Sequence, residues 1–271
     1  MADNRNHELK AVVLGLGSVI GGYVANRLMQ DGWSVIGSAR EETVLDEGFA
    51  QVVRCNLGDS KSIERAGEDL RVLSDGWSLL FIAAGTMQPI GRFFELDATE
   101  WERGFQVNTF GPLRLLRAIW SVRSSTSIPT VCFLAGGGTN NDFPNYSAYC
   151  ASKIMLIKMV ELLQSEEPST KFVIIGPGYV RTPIHGETMS AGDAAGINRE
   201  RTAQLIEGPG TDLEVIYRHV HACHEGSTAK LGGRNFSTVH DGWENEAIVE
   251  TINLCPKDAY RLRRFPYQSG N

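Results

Sequence analysis

The sequence KAVVLGLGSVIGG, at residues 10–22, is a short apolar run that breaks into a glycine-rich turn. A helical pattern of apolar residues follows the turn and stops at Asp31 and Gly32. Strand, glycine turn and helix in this order let the backbone approach a pyrophosphate, which binds the free N–H groups at the start of the helix. The same pattern also joins a strand to a helix where no ligand binds, so the stretch alone leaves a structural turn and a phosphate site both open.

Short apolar runs recur along the rest of the chain, with helical patterns between them. The run at 79–84 is apolar throughout, which indicates burial on both faces, as in a parallel sheet. The alternation predicts an α/β fold, a doubly wound parallel sheet (Rossmann fold) of about seven strands with helices on both faces. The remaining predicted strands are 33–40, 51–55, 128–135, 171–175 and 234–239, and the longer predicted helices are about 60–73, 99–123 and 147–167.

Length and composition favour one large domain. The chain has 271 residues, of which 42% are hydrophobic, and a core of this size needs no disulfide or metal. We therefore predict a single Rossmann-type domain over 1–271. Over about 184–233 the pattern loosens, glycines are frequent, and two modest helices are predicted near 198–206 and 211–223. We predict that this stretch is a substrate-side cap over the carboxyl ends of the strands, where ligands bind in open α/β sheets.

Charge and cysteine usage exclude several classes of partner. The formal net charge of -6 argues against contacts with nucleic-acid backbones. No apolar run approaches membrane-spanning length, and the polar N-terminus predicts no signal peptide. The five cysteines form no Cys-x-x-Cys pair, which predicts reduced thiols in a cytoplasmic protein. Cys223 and His224, with His219 and His221, have a spacing that fits no zinc pattern, so no metal site is predicted.

Two side chains in the segment SAYCASKIM, at 147–155, suggest acid–base chemistry. Tyr149 and Lys153 are four residues apart and lie one turn from each other on a helix. An ammonium group near a phenol favours the phenolate, which makes a tyrosine useful as an acid or base near neutral pH. A solvated lysine beside a half-buried tyrosine has the same spacing. Asn108, in an apolar helical stretch, needs a hydrogen-bond partner if it is buried.

Arg40 follows the second predicted strand, at the position that reads the adenosine ribose of a dinucleotide. An acidic residue there would bind a ribose 2′-hydroxyl, whereas an arginine suits a 2′-phosphate. A solvated surface arginine is the alternative. Arg40 therefore favours NADP(H) over NAD(H).

In this order the motifs resemble the short-chain dehydrogenase/reductase family in its single-domain form, from Lys10 to about Val239. The glycine motif of the family aligns with 14–21, where Leu14 replaces a threonine and Val19 replaces the middle glycine. The family's Asn-Asn-Ala-Gly turn corresponds to 82–85 and retains only Ala-Gly. The resemblance implies an NAD(P)-dependent oxidoreductase that transfers a hydride between the nicotinamide and a carbonyl or secondary alcohol.

The resemblance also implies roles for individual residues. Tyr149 would be the acid and base, Lys153 would lower its pKa and hold the nicotinamide ribose, and Asn108 would support a proton-relay water. The implied cofactor contacts are Gly15, Gly17, Ser18, Ile20, Gly21, Arg40, Asn56, Leu57, Ala83, Ala84, Gly85, Tyr149, Lys153, Pro177, Gly178, Val180 and Thr182.

One departure from the family touches the chemistry. The family keeps a serine about thirteen residues before its tyrosine, and this chain has Gly136 there, next to Ala135. In the family that serine hydrogen-bonds the substrate oxygen, and a missing donor could cost about 3 kcal/mol of transition-state stabilisation. Thr139 or Asn140 could take its place. The departure motivates a second hypothesis, a catalytically weak dinucleotide-binding sensor or partner protein.

The substrate and the assembly are predicted only coarsely. We expect a small molecule, and the basic residues of the predicted cap suit a polar, sugar-like one. The basic cluster at 260–264 is interpreted as a surface or subunit contact. By resemblance, we expect a homodimer or homotetramer formed through the helices at about 99–123 and 147–166. The basic and histidine side chains of the predicted cap are Arg199, Arg201, Arg218, His219, His221 and His224.

Overall fold

Seven parallel strands form one sheet. The computed structural model describes residues 9–45, 48–49, 51–226, 228–241, 254 and 256–263. Arg264 of the basic cluster and Cys255 therefore lie outside the described residues. The predicted doubly wound parallel sheet is confirmed. The strands are β1 (Lys10–Leu14), β2 (Ser34–Ala39), β3 (Gln51–Arg54), β4 (Leu79–Ile82), β5 (Thr130–Leu134), β6 (Lys171–Gly176) and β7 (Arg234–Ser237). Their order across the sheet is β3-β2-β1-β4-β5-β6-β7.

Helices cover both faces of the sheet. The long helix predicted over 99–123 consists of α3 (Ala98–Phe105), a π-helical segment (Gln106–Phe110), α4 (Gly111–Ile119) and a short 3-10 turn (Trp120–Val122). The short helix α6 (Ile184–Ser190) was not predicted. The helices are α1 (Val19–Gln30), α2 (Ser60–Leu73), α3 (Ala98–Phe105), α4 (Gly111–Ile119), α5 (Ser147–Glu166), α6 (Ile184–Ser190), α7 (Ile197–Glu207), α8 (Leu213–Glu225) and α9 (Thr228–Leu231).

The two faces of the sheet bury separate apolar layers, because side chains alternate along a strand. In β1, Ala11 and Val13 join the layer that holds residues of α1 and α8. Val12 and Leu14 join the layer that holds residues of α2, α4 and α5. Burial on both sides explains why the strand sequences are almost continuously apolar.

The strand order reverses at β1, which lies between β2 and β4. From β1 the chain builds outward to β2 and β3, and then crosses over to β4 and the other half of the sheet. This switch point opens a crevice at the carboxyl ends of the strands, where ligands bind in open α/β sheets. Among the helices that the structure describes, none is long and apolar enough to cross a lipid bilayer.

The stretch 184–233 divides between two places. Residues of α6 and α7 line a cavity at the carboxyl ends of the strands. In contrast, α8 packs against α1, and its Val220 joins the same apolar layer as Val24. We propose that the cap comprises only about 184–207.

Candidate active site

The glycines of the turn after β1 allow backbone segments to pack more closely than larger residues would. Gly15 has a φ of +98°, and a β-carbon there would lie 2.8 Å from the backbone nitrogen of Ala84. A β-carbon at Gly21 would lie 2.8 Å from Ser18 Oγ and closer still to the Gly15 carbonyl oxygen. Ser18 caps α1, since its Oγ accepts a hydrogen bond from Gly21 N at 2.9 Å and donates one to Gly15 O at 2.8 Å. The turn therefore brings bare backbone and the start of α1 to the sheet edge.

A cavity of about 1300 Å³ opens beside this turn at the carboxyl ends of the strands. Of the residues that the resemblance implied for cofactor and catalysis, Gly21 and Asn108 are not part of its wall. Gly21 lies behind the turn and Asn108 is buried beneath the wall. The implied residues that do line the cavity are Gly15, Gly17, Ser18, Ile20, Arg40, Asn56, Leu57, Ala83, Ala84, Gly85, Tyr149, Lys153, Pro177, Gly178, Val180 and Thr182.

Tyr149 and Lys153 lie one turn apart in α5, and both are nearly buried. Lys153 Nζ donates to the Leu134 carbonyl oxygen at 2.9 Å and lies 5.9 Å from the centroid of the Tyr149 ring. Burial lowers the pKa of Lys153 to about 8. The pKa of Tyr149 is raised, by burial first and then by Cys150 and Glu187. The pKa of Tyr149 is therefore shifted in the direction opposite to the predicted one. The phenol is removed from solvent, and the Lys153 ammonium bonds to a backbone carbonyl instead of stabilising the phenolate.

Gly136 faces the Tyr149 hydroxyl. A β-carbon at Gly136 would lie 2.6 Å from Tyr149 Cζ and 2.9 Å from Cε1, and closer still to Oη. The phenol oxygen thus occupies the space that a serine side chain would need. Of the two proposed substitutes, Thr139 donates its hydroxyl to Gly136 O at 3.3 Å, and Asn140 is exposed; both line the cavity.

Asn108 holds other parts of the site together. It lies in the π-helical segment and is 1% exposed. Its Oδ1 accepts from Thr86 N at 2.9 Å, and its Nδ2 donates to Thr86 O at 3.0 Å and to Ser152 Oγ at 3.1 Å. Because both amide hydrogens bond to protein atoms, we propose that its side chain positions the loop after β4 against α5 rather than binding a relay water.

Arg40 lies at the rim of the cavity, beyond β2. Its guanidinium pairs with Glu42, with Nε 3.2 Å from Oε1, and both side chains are largely exposed. Arg54 Nη1 donates to the backbone oxygens of Arg40 and Thr43, at 2.8 and 3.0 Å, and fixes the loop that carries Arg40.

The predicted polar cap residues separate in the structure. Arg201 lines the cavity, whereas Arg199 pairs with Asp193 at 3.8 Å outside it. The prediction for His219 and His224 was wrong, because α8 carries them beneath the sheet. The His224 ring packs on Trp33 at 5.0 Å between centroids, and burial lowers its pKa to about 4. Within the described ranges, no cluster of three or more His, Cys, Asp or Glu side chains could hold a metal ion.

Two polar cavity residues in α6 were missed by the sequence analysis. His185 lines the cavity, and burial lowers its pKa. Glu187 lines it as well and accepts three hydrogen bonds from the loop after β4. Their only sequence signal is that they closely follow the loop at 177–182, to which the resemblance assigns the nicotinamide.

Comparisons with known proteins agree on one family. The family model for short chain dehydrogenase matches residues 10–193. An uncharacterized oxidoreductase of Schizosaccharomyces pombe (strain 972 / ATCC 24843) is 30% identical over 129 residues, which are 47% of this chain and 51% of the relative. The chain spans about half the length of such curated relatives.

Two further matches cover more of the chain. A benzil reductase ((S)-benzoin forming) of Bacillus subtilis (strain 168) is 25% identical over 206 residues, covering 72% of this chain and 84% of the relative. A crystal structure of a short chain dehydrogenase/reductase from Saccharomyces cerevisiae superposes with a TM-score of 0.74 at 19% identity, covering 89% of this chain and 98% of that one. At this identity the structural likeness shows the fold alone.

Proposed function

Because the chain belongs to the short chain dehydrogenase family, we propose that it is an NADPH-preferring oxidoreductase acting on a carbonyl or secondary alcohol. The observation that carries the proposal is that Tyr149 and Lys153 line the same cavity as the glycine-rich turn. The stability of the sheet does not require these groups to lie in one crevice, whereas catalysis with a bound dinucleotide does.

The residues of the cavity fit a dinucleotide. Gly15, Gly17 and Ser18 line the cavity at the start of α1, where backbone N–H groups bind phosphate. We propose that Ser18 and Ile20 complete this end and that Arg40 binds a 2′-phosphate. Asn56 and Leu57 would hold the adenine, and the segment from Pro177 to Thr182 the nicotinamide.

The proposed reaction is carbonyl reduction. When bound, the nicotinamide supplies the hydride that adds to the carbonyl carbon. Tyr149 donates its phenolic proton to the carbonyl oxygen, which becomes the hydroxyl of the alcohol. Burial raises the pKa of Tyr149, so the phenol keeps its proton at neutral pH and is suited to act as an acid. Lys153, protonated below about pH 8, would hold the nicotinamide ribose.

The rate of carbonyl reduction is expected to hold through neutral pH and to fall as the pH rises through about 8. Burial lowers the pKa of Lys153 to this value, so its positive charge is present below it and lost above it. Tyr149 does not cause this fall, because its pKa is raised. A pH–rate profile measures the effect, with thermal midpoints at each pH as the control for unfolding. A rate that continues unchanged well above pH 8 would contradict the role of Lys153.

Arg40→Ala is expected to raise the dissociation constant for NADPH about tenfold and to leave that for NADH unchanged, since it removes one charged hydrogen-bond donor. Glu42→Gln is expected to tighten NADPH binding, because Glu42 pairs with Arg40. Side-by-side titrations followed by nicotinamide fluorescence measure both effects. Arg71→Ala, on the exposed face of α2 outside the cavity, is the matched control. Equal binding of both cofactors by wild type and Arg40→Ala would contradict the NADPH preference.

The substrate class is a finer part of the proposal. Arg201 and His185 line the cavity and suit a polar, sugar-like carbonyl compound. The name of the B. subtilis relative points instead to an aromatic diketone, and Met87, Phe143 and Ile184 supply apolar wall for one. A turnover panel that contains both classes separates them.

The second candidate function is a catalytically weak dinucleotide-binding sensor or partner protein. Gly136 favours it, because the serine donor of the family is absent. A sensor would bind NADPH yet show no turnover on a broad panel of carbonyls and alcohols. Turnover of any panel member that Tyr149→Phe abolishes would exclude it.

We also propose that the protein is cytoplasmic and forms a homodimer or homotetramer. Cys55, Cys132, Cys150 and Cys223 are free thiols, the state that a reducing compartment maintains.

The proposed assembly has support in exposed aromatic side chains. Next to α3, Phe93 and Phe94 are 53% and 96% exposed, and such aromatic surface is enriched at subunit contacts. Light scattering on the purified protein tests the assembly, and a monomeric mass would contradict it.

A further inference from the structure

Glu187 joins the substrate-side helix α6 to the loop that follows β4. Its Oε2 accepts hydrogen bonds from Thr86 Oγ1 at 2.9 Å, Met87 N at 2.7 Å and Gln88 N at 3.2 Å. One carboxylate oxygen thus gathers three donors from consecutive residues. Hydrogen bonds to an ionised acceptor are about twice as strong as neutral ones.

The same loop is held from its other side by Asn108. The Asn108 amide bonds to both the N–H and the carbonyl of Thr86 and donates to Ser152 Oγ. Ser152 Oγ in turn donates to the carbonyl oxygen of Tyr149 at 2.7 Å. A continuous chain of hydrogen bonds therefore runs from Glu187 in α6, through Thr86 and the π-helical segment, to the helix turn that carries Tyr149.

We propose that Glu187 is a positioning residue for the reaction, one that fixes α6 and the Thr86–Gln88 loop relative to Tyr149. The inference rests on the proposed function and adds to it a residue that is not among the family motifs found in the sequence. Thr86 directly follows Gly85, which is assigned to the cofactor. The loop that Glu187 holds therefore connects the cofactor side of the cavity to its substrate side. A reacting pair must be held to within a fraction of an ångström, and a misplacement of 1 Å can cost about 100-fold in rate.

Other contacts retain α6 when Glu187 is changed. Tyr146 Oη donates to Thr188 Oγ1 at 2.8 Å, and Thr188 also contacts Met87 Sδ at 3.4 Å. Ile184 packs against the apolar cluster that includes Tyr146 and Tyr149. Variants of Glu187 should therefore fold, and their defect should be one of alignment.

The variants Glu187→Ala and Glu187→Gln separate the hydrogen bonds from the charge. Alanine removes all three hydrogen bonds, whereas glutamine keeps an acceptor oxygen but no charge. We expect kcat to fall about tenfold or more in Glu187→Ala and less in Glu187→Gln, with the NADPH dissociation constant close to wild type and a lower thermal midpoint in Glu187→Ala. Glu207→Gln neutralises an exposed carboxylate at the end of α7, outside the cavity, and is the matched control.

Hydrogen exchange provides a readout that does not depend on turnover. The amide hydrogen of Met87 bonds to Glu187, whereas that of Gln88 also bonds to Thr86 Oγ1 at 3.1 Å, so Met87 is the reporter. Its amide is expected to exchange faster in Glu187→Ala and at the wild-type rate in Glu207→Gln. A kcat of Glu187→Ala at the wild-type level, or an equal loss in Glu207→Gln, would overturn the proposal. If wild type shows no turnover at all, the proposed function fails instead, and unchanged exchange at Met87 in Glu187→Ala would show that the Glu187 contact fails with it.

Discussion

Tyr149→Phe is expected to lower kcat for carbonyl reduction by about 10² to 10⁴-fold, the contribution that a positioned general acid makes. The substitution removes one oxygen atom and leaves the ring packed in α5, where the Tyr149 side chain is 6% exposed. The hydroxyls of Thr86 and Thr139, which also line the cavity, already donate to Glu187 and to the Gly136 carbonyl.

The measurement for Tyr149→Phe is steady-state turnover together with NADPH binding by fluorescence. Binding is expected to be close to wild type, which separates the loss of the proton donor from the loss of the site. Tyr23→Phe is the matched control, because it removes a phenol oxygen that donates to Glu214 at 2.8 Å outside the cavity. Full turnover by Tyr149→Phe on any substrate would show that another group supplies the proton.

The fold was predictable because burial on both faces leaves a strong mark in the sequence. Runs such as 79–84 have no polar position, and only a covered parallel sheet accepts such strands one after another. The residues at which strands end were less predictable, because a strand ends where its hydrogen bonds to the neighbouring strand stop. The run predicted over 234–239 stops pairing at Ser237, opposite the last residue of β6, Gly176.

The assembly of the cavity followed from the topology. Because parallel strands carry their loops at the same edge, residues from 15 to 182 that follow strands β1 to β6 meet at one crevice. Glu187 could not be found in this way. Its three donors lie about a hundred positions earlier in the chain, and no local pattern encodes a contact at that separation.

Electrostatic details were also beyond the sequence. The spacing of Tyr149 and Lys153 placed the two groups together, but the pKa of the tyrosine depends on how far both are removed from water. Similarly, the sequence predicts that His219 and His224 contact the ligand, but α8 packs on one face of the sheet and holds them away from the cavity. A pattern gives the identity and spacing of side chains, whereas desolvation depends on every element that covers them.

Gly136→Ser is expected to reduce kcat about 100-fold, even though it restores the serine that the family uses, because it displaces the proton donor by about an ångström. A β-carbon at this position would lie 2.6 Å from Tyr149 Cζ and nearer still to Oη, so the phenol must move. Gly136→Ala should be almost as harmful, since the β-carbon alone makes the clash. Overpacking of this kind also costs about 1–3 kcal/mol of folding stability.

The neighbouring glycine supplies the control for Gly136→Ser. A β-carbon at Gly137 would meet no atom within 4 Å, so Gly137→Ala is expected to keep wild-type turnover and thermal midpoint. Comparing kcat, NADPH affinity and thermal midpoint among the three variants separates displacement of Tyr149 from general damage to the loop. If Gly136→Ser instead turned over substrate faster than wild type, the displacement of Tyr149 would not reduce its activity as a proton donor. The serine hydroxyl would then supply the hydrogen-bond donor that the natural chain lacks. That outcome would favour the sensor hypothesis for the natural chain, since it would mean that Gly136 holds the activity down.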